Sequence, residues 1–414
     1  MKNNVKTKVL YIGPIPPEIG GKESGGIATF CWELATTACN NGYNVYILTD
    51  VSASFEKDGI KVIKWPPRNK LEKIFYAIIL YIINREKVKE LNFLSGKRKL
   101  KILYKSHLLK KILKSIRPDF IHILYILDDT IFSMSILKEH PPIIASEYGT
   151  ALLYEQEIFK LYGFKKRDSF YKKIIKALEK IDYVISCSQF SKLALLREFN
   201  LPPNIKVRAI LNPINPNKIQ LLNKNRTKNV LGLGDKKIVT FCGVHFTIKR
   251  KGLDILLKAF AIDSYLLENC KLIIITNKNA KRLIQAFIEK NNIDGLVLSF
   301  QPSEKLAEYY NATDVFVMPS RQEGIGLTYY EALLAGVPII GFFRSVLELE
   351  QVLGIYIGEK FNANEENEKD LAEKIIKVLN MEIDGKLLRK KVIENLSWDV
   401  KFKEYDLVYR ELLV

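Results

Sequence analysis

The chain has 414 residues, of which 48% are hydrophobic and 27% are charged. This composition excludes a disordered chain and suits two globular domains, each with a core of its own. The formal net charge is +18, and residues 1–205 hold 33 Lys and Arg against 20 Asp and Glu. A basic first half indicates an anionic partner, either a nucleic acid, a phosphorylated ligand or an acidic lipid surface, unless it reflects only a lysine-rich genome.

The cysteines and the apolar runs indicate the cellular location of the protein. Five cysteines lie far apart without CxxC spacing, so the sequence predicts neither a zinc site nor a redox dithiol. We expect a reducing, cytoplasmic location. The N-terminal apolar run is too short for a signal peptide, and the longest apolar block, residues 74–83, is too short to span a bilayer.

Short apolar runs recur along the chain, each followed by a stretch of helical character. This alternation in two successive series predicts two doubly wound α/β domains with parallel sheets. The predicted strands are 8–13, 43–49, 119–124, 142–149 and 181–188, then 237–243, 271–276, 296–300, 314–319 and 337–342. The Pro- and Asn-rich stretch 200–218 is the predicted boundary. Because ligands bind at the carboxyl ends of parallel strands, we expect the site in a cleft between the domains.

Glycines follow the first predicted strand. Gly20, Gly21, Gly25 and Gly26 precede a predicted helix. Glycines at a strand-to-helix turn let backbone N–H groups approach a phosphate, whose charge the helix N-terminus favours. The pattern is neither GxGxxG nor a Walker loop, and the alternative is a flexible surface loop.

A second loop of this kind follows the predicted strand 314–319. Gly324 and Gly326 expose backbone amides before a predicted helix, and Thr328 adds a hydroxyl in its first turn. A pyrophosphate suits that position. Glu323 lies in the loop and Glu331 lies in the helix, where a carboxylate can accept two hydrogen bonds from a ribose. The alternative is a pair of solvated charges around a helix N-terminus.

Here the chain resembles the retaining glycosyltransferases of family 4, which have the GT-B fold. The family signature EGFGLxxxEAMAxGxPV corresponds to EGIGLTYYEALLAGVPI at residues 323–339, with Ile325 in place of Phe. Further resemblances lie in the glycine loop and in the segments IRPDFIHIL, ILNPINPNKI, FCGVHFTIKRKGLDILLKAF and LSWDVKFKEYDLVY. The resemblance implies two Rossmann-like domains facing a cleft. The two domains are an acceptor-binding domain (1–205) and a nucleotide-sugar-binding domain (206–396), and a helix (397–414) crosses back to the first domain.

The resemblance also implies roles for individual residues. Lys251 would neutralise the donor diphosphate, Glu331 would bind the ribose, and Glu323 would hold the donor sugar. The other implied donor-binding residues are Gly25, Gly26, Phe300, Gln301, Gly324, Ile325, Gly326, Leu327 and Thr328. The resemblance also implies that the leaving phosphate itself takes the acceptor proton, while the protein supplies positioning and charge neutralisation. No metal is implied, and the sequence has neither a DxD motif in a strand context nor a His/Cys cluster.

Two positions depart from the family pattern. The family has an arginine soon after the position of Gly243, whereas His245, Lys249 or Arg250 would have to supply that charge here. The family also has a histidine where this chain has Tyr148. Its phenol can still donate a hydrogen bond to the donor sugar, and Glu147 is the other candidate for this role.

The sequence therefore predicts a retaining glycosyltransferase. It would move a sugar from a nucleotide-diphosphate donor to a glycan, lipid-linked or protein acceptor, without a cofactor. A GT-B nucleotide-sugar epimerase and an inactive sugar-nucleotide-binding or membrane-associated subunit are the alternatives.

Residues 68–114 hold 14 Lys and Arg, 3 Asp and Glu, and interleaved aromatic residues. This stretch is expected either to bind the anionic lipids at the inner face of the cell membrane or to form a solvated basic face. No nucleic-acid-binding motif accompanies the charge.

Overall fold

The structure is a computed structural model, and it describes residues 6–22, 25–65, 96–124, 129–137, 139–148, 178–198, 201–243, 249–299 and 301–414. The chain divides into two compact units. One consists of Met1–Leu211 with Phe402–Val414, and the other of Asn212–Lys401. The last helix therefore begins in the second unit and continues in the first.

The first unit contains a sheet of eight strands among its described residues. These are β1 (Lys8–Ile12), β2 (Asn44–Thr49), β3 (Phe55–Lys57), β4 (Ile60–Lys64), β5 (Phe120–Ile123), β6 (Ile143–Glu147), β7 (Tyr183–Ser186) and β8 (Lys206–Ala209). Their order is β3-β4-β2-β1-β5-β6-β7-β8, and all pairs are parallel except β3 with β4. Its described helices are α1 (Gly26–Asn40), α2 (Gly96–Ile116), α3 (Asp129–Ser135) and α4 (Gln189–Glu198).

The second unit contains a fully parallel sheet in the order β11-β10-β9-β12-β13-β14. The strands are β9 (Lys237–Cys242), β10 (Cys270–Thr276), β11 (Gly295–Ser299), β12 (Val315–Met318), β13 (Ile339–Phe342) and β14 (Gly358–Phe361). Its described helices are α5 (Lys224–Val230), α6 (Leu253–Ile262), α7 (Ser264–Asn269), α8 (Lys278–Lys290), α9 (Ser303–Ala312), α10 (Leu327–Leu334), α11 (Phe343–Leu353), α12 (Glu368–Leu379) and α13 (Gly385–Leu396). The last helix, α14, spans Trp398–Leu413.

The strands form where branched apolar residues run together. β12 and β13 are buried along their whole length, as expected of parallel strands covered by helices on both faces. The predicted doubly wound architecture is therefore confirmed in each unit. In both sheets the chain first adds strands on one side of its first strand and then on the other. The order reverses between β1 and β5 and again between β9 and β12.

A buried chain of hydrogen bonds fixes the last helix in the first unit. The hydroxyl of Tyr409 lies 3.2 Å from that of Tyr11 and 3.0 Å from Nδ1 of His122, whose Nε2 lies 2.8 Å from Oγ of Ser146. Burial lowers the pKa of His122 to about 3, so its ring is neutral at physiological pH. In the described part of the chain, no helix combines the length and apolar character needed to cross a bilayer.

Candidate functional site

The carboxyl ends of β9 and β12 lie side by side at the reversal point of the second sheet. Open α/β sheets bind ligands in the crevice at such a point. The loop after β9 carries Lys251, and the loop after β12 carries Glu323. Because the two strands pair in parallel, with Phe316 opposite Thr240, the fold brings together two side chains that are 72 residues apart in sequence.

The loop between β12 and α10 is held from two sides. Ser345 Oγ donates a hydrogen bond of 2.6 Å to the carbonyl oxygen of Gly324. The hydroxyl of Tyr329 donates to the carbonyl of Met318 at 2.9 Å and accepts from the N–H of Phe342 at 3.0 Å. One phenol thus joins α10 to the ends of both β12 and β13, so the glycine loop and the start of the helix have a fixed position.

Glu323 is a buried carboxylate held by two cations. It is 7% exposed; Lys251 Nζ forms an ion pair with its Oε2, and Arg250 Nη1 lies 3.7 Å from the same oxygen. Burial by itself raises the pKa of Glu323. The charges of Lys251 and Arg250 and hydrogen bonds from Lys251 and the Gly324 N–H outweigh that effect, so the pKa lies below its ordinary value.

The charges of this cluster do not cancel. Burial is the largest influence on Lys251 and lowers its pKa, although Glu323 opposes the shift. We take the pair as ionised, because each partner stabilises the charge of the other. One carboxylate then faces two cations, Lys251 and Arg250. This net positive charge in a mostly buried place attracts an anion.

Glu331 is the second buried carboxylate, and it is 5% exposed. Its Oε1 accepts a hydrogen bond from Lys218 Nζ at 2.5 Å, and its Oε2 accepts one from the hydroxyl of Tyr310 at 3.0 Å. Burial, reinforced by Glu331, raises the pKa of the neighbouring Cys242 thiol to about 12. The thiol is therefore neutral, and Lys218 supplies the positive charge beside Glu331.

Arg389 explains why Lys218 reaches Glu331. Its Nη1 donates to the carbonyls of Ile219 and Leu334 at 2.5 and 2.7 Å, and its Nη2 donates to that of Pro216 at 3.2 Å. One guanidinium thus fixes the main chain on both sides of Lys218 to the end of α10, the helix that carries Glu331.

Two family models match the sequence. Residues 24–218 match the model described as Glycosyltransferase Family 4, and residues 223–396 match the model described as Glycosyl transferases group 1. An uncharacterised glycosyltransferase of Methanocaldococcus jannaschii is 28% identical over 276 residues, which cover 66% of this chain and 69% of the relative.

Solved structures show the same fold. Sucrose-phosphate synthase from Thermosynechococcus elongatus has a TM-score of 0.72 at 17% identity, covering 98% of this chain and 99% of its own. Anabaena HepE in complex with UDP and glucose has a TM-score of 0.67 at 13% identity, covering 98% of this chain and 100% of its own. The chain is a GT-B glycosyltransferase.

Within the glycosyltransferase, the residues predicted around the β12 loop lie together. Gly324 and Ile325 are buried, and Gly326, Leu327 and Thr328 are half-buried at the start of α10. Their roles toward a donor remain predictions. In the described ranges no three His, Cys, Asp or Glu side chains come close enough together to hold a metal ion.

Other predicted donor-binding residues lie apart from this cluster or outside the described residues. The side chain of Lys249 is 84% exposed and lies 3.3 Å from the carboxylate of Asp254. The Gln301 amide donates to the carbonyl of Ser299 at 2.8 Å. His245 and Phe300 lie outside the described residues. Of the three candidates for the missing charge, Arg250 is the one that the described structure places beside Glu323.

The remaining predicted site residues belong to the first unit. Gly25 has φ +125° and stands at the exposed N-terminus of α1, before Gly26. A left-handed φ of this kind favours glycine. The hydroxyl of Tyr148 is buried, and its ring lies edge-on to Phe30 at 5.5 Å. Glu147 is also buried and accepts a hydrogen bond from Ser186 Oγ at 3.1 Å.

Sequence reasoning missed both partners of Glu331 in the second unit, Lys218 and Tyr310. Lys218 stands in the predicted linker, where one lysine among many carries no pattern. Tyr310 lies in a helix whose periodicity predicts only a core position. The signal that could have indicated them is physical: a buried glutamate requires a donor or a cation.

Proposed function

We propose that this glycosyltransferase moves a hexose from a nucleoside diphosphate donor to a glycan, lipid-linked or protein acceptor, with retention of anomeric configuration and without a metal ion. The observation that carries the proposal is the buried cluster of Glu323, Lys251 and Arg250 beside the glycine loop. Cleavage of the glycosyl bond increases the negative charge on the diphosphate, and a preorganised net positive charge stabilises that change.

Each charged side chain of the site then has a separate role toward the donor. Lys251 neutralises the diphosphate, while Glu323 and the amides after it hold the donor sugar. Glu331 accepts the ribose hydroxyls, and the N-terminus of α10 at Leu327 and Thr328 receives phosphate oxygens. In the first unit, the family resemblance assigns Gly25 and Gly26 at the N-terminus of α1 to the acceptor and phosphate side.

No protein base is required by this proposal. The leaving phosphate takes the proton of the acceptor hydroxyl on the same face of the sugar, so the anomeric configuration is retained. The protein supplies position and charge. Tyr148, whose hydroxyl is neutral because burial raises its pKa well above its ordinary value, can donate a hydrogen bond to the donor sugar but cannot remove a proton.

A panel of nucleotide sugars tests the proposal. The HepE neighbour was solved with UDP and glucose, which makes UDP-glucose the first donor to try, followed by ADP- and GDP-sugars. We expect one donor to raise the melting temperature and to be hydrolysed slowly, or transferred when a glycan or lipid-linked acceptor is added. NMR of the product would show the retained anomer, and EDTA would leave the rate unchanged. An epimerised donor, or binding with neither transfer nor hydrolysis, would contradict the proposal.

A basic helix supports an acceptor at a membrane surface. Of the predicted basic stretch, residues 68–95 lie outside the described residues, while α2 spans Gly96–Ile116. Lys101, Lys110, Lys111 and Lys114 are exposed along α2, and each lysine near anionic lipid contributes about 1 kcal/mol. We expect the protein to sediment with phosphatidylglycerol vesicles at low salt and to dissociate at high salt. No sedimentation at low salt would leave α2 as a solvated basic face.

A further inference from the structure

Arg321 and Asp254 join the two loops that supply the charged cluster. Nη1 of Arg321 donates to Oδ1 of Asp254 at 2.7 Å, and Nη2 donates to Oδ2 at 2.9 Å. Two parallel hydrogen bonds of this kind fix both the distance and the orientation of the partners. Arg321 lies two residues before Glu323, and Asp254 lies three residues after Lys251.

Arg321 also holds the main chain of the loop that carries Arg250 and Lys251. Its backbone N–H donates to the carbonyl of Arg250 at 2.9 Å, and Nη1 donates to the carbonyl of Lys249 at 2.5 Å. At Gly252 the chain turns with φ +75°, and a side chain there would overlap the carbonyl oxygen of Pro319. Residues 249–252 are thus attached to residues 319–321 at several points, with both cations between the attachments.

We propose that Arg321 and Asp254 form a positioning pair, which holds the loop of Arg250 and Lys251 in the place where these cations meet the donor diphosphate. The inference rests on the proposed function. A free lysine loses much of its side-chain entropy when it is confined. A fixed main chain removes part of that loss before the ligand arrives, which is the advantage of preorganisation. Lysine at position 321 could not replace the planar fork of arginine.

Binding of a nucleoside diphosphate and of the matching monophosphate tests the pair. UDP and UMP are the first probes, and ADP with AMP and GDP with GMP follow if UDP does not bind the native protein. We expect Arg321→Ala to weaken diphosphate binding at least about tenfold, because the loop that carries both cations loses an attachment and is no longer preorganised. Monophosphate binding should weaken less, because the cations serve the diphosphate. The ratio of diphosphate affinity to monophosphate affinity should therefore fall in Arg321→Ala. Asp254→Asn, which keeps the shape of the side chain, should lower this ratio as well.

A double variant and a matched ion pair separate positioning from general stability. The double variant Arg321→Ala with Asp254→Asn should bind the diphosphate at least as tightly as Arg321→Ala alone, because both variants lose the same interaction. Lys360 and Glu350 form the control pair, with side-chain exposures of 38% and 16% against 32% and 16% for Arg321 and Asp254. Lys360→Ala should lower the melting temperature without changing the ratio of diphosphate to monophosphate affinity.

The outcomes distinguish this inference from the proposed function. If the native protein binds a diphosphate but Arg321→Ala and Asp254→Asn keep the native affinity ratio, the pair is merely structural and the inference is overturned while the proposed function stands. If the native protein binds none of the six nucleotides, the proposed function is overturned and the positioning role with it.

Discussion

Replacing Glu331 by glutamine tests the assignment of the ribose site. Glu331→Gln keeps the volume of the side chain and an acceptor for the hydroxyl of Tyr310, which lies 3.0 Å from Oε2. It removes the charge that pairs with Lys218. The side chain of Lys218 is 22% exposed, so its ammonium can turn toward water, and the loss of folding free energy should stay near 1 kcal/mol.

The effect on nucleotide binding should be larger. In the proposed site, the carboxylate accepts hydrogen bonds from two ribose hydroxyls, and each charge-assisted bond is about twice as strong as a neutral one. Losing them costs roughly 2–4 kcal/mol, which is about a 30- to 1000-fold rise in Kd. Most of this loss appears in binding and little in folding, because the ribose hydroxyls have no other charged acceptor in this assignment.

Calorimetry with a nucleoside diphosphate and its 2′-deoxy analogue gives the decisive comparison. The native protein should bind the analogue at least about tenfold more weakly, since one charge-assisted hydrogen bond is missing. Glu331→Gln should bind both compounds with nearly equal, low affinity. Glu350→Gln, which alters another glutamate of the same unit that is 16% exposed, should keep the native discrimination. If Glu331→Gln still distinguishes the two compounds as the native protein does, the carboxylate does not bind the ribose.

Three further predictions concern the other buried polar groups. Lys251→Met leaves Glu323 buried with one cation at 3.7 Å and should destabilise the protein to urea by about 3 kcal/mol at neutral pH. Because the folded pKa of Glu323 lies below its ordinary 4.5, its ionised form stabilises the fold above that pH, so the difference from the native protein should shrink at pH 4. Tyr148→Phe should slow transfer about tenfold to a hundredfold in initial-rate assays, since one positioning bond is worth roughly 1–3 kcal/mol; a silent Tyr148→Phe with an inactive Glu147→Gln would move the role to Glu147. His122 has a folded pKa of about 3 against an ordinary 6.5, so its contribution is complete above pH 6.5 and should fall by roughly 1 kcal/mol by pH 5.5. Thermal melts of native protein and His122→Gln across that range measure the difference, and equal acid sensitivity of the two would contradict the role of the histidine.

The long apolar strands could be predicted because their residues determine their environment. Runs such as KLIIIT at β10 and VFVM at β12 have no polar face, so they can form only buried strands between two layers of helices. The glycine loop before α10 could be predicted for a similar reason, since closely spaced glycines after such a strand permit a turn that other residues resist.

The short edge strands were missed because their sequences carry no such constraint. β3 is FEK with two exposed charged residues, and β14 is GEKF. β8 is KVRA and lies inside the stretch predicted as a linker. Each of these strands forms because a neighbouring strand offers it a row of hydrogen-bonding partners. That contribution comes from the assembled sheet and leaves no periodic pattern in the strand itself.

The same division holds for the site. The sequence by itself determined that Glu323 and Glu331 flank a helix start after a buried strand, because that spacing is local. Only the tertiary structure decided which cations neutralise them. Lys251 and Lys218 lie 72 and 113 residues away from their carboxylates, and the chain contains many other lysines of identical chemistry. The pairing of β9 with β12 places Lys251 beside Glu323, and the hydrogen bonds of Arg389 place Lys218 beside Glu331. A buried carboxylate is stabilised by the cation that the fold places within a few ångströms.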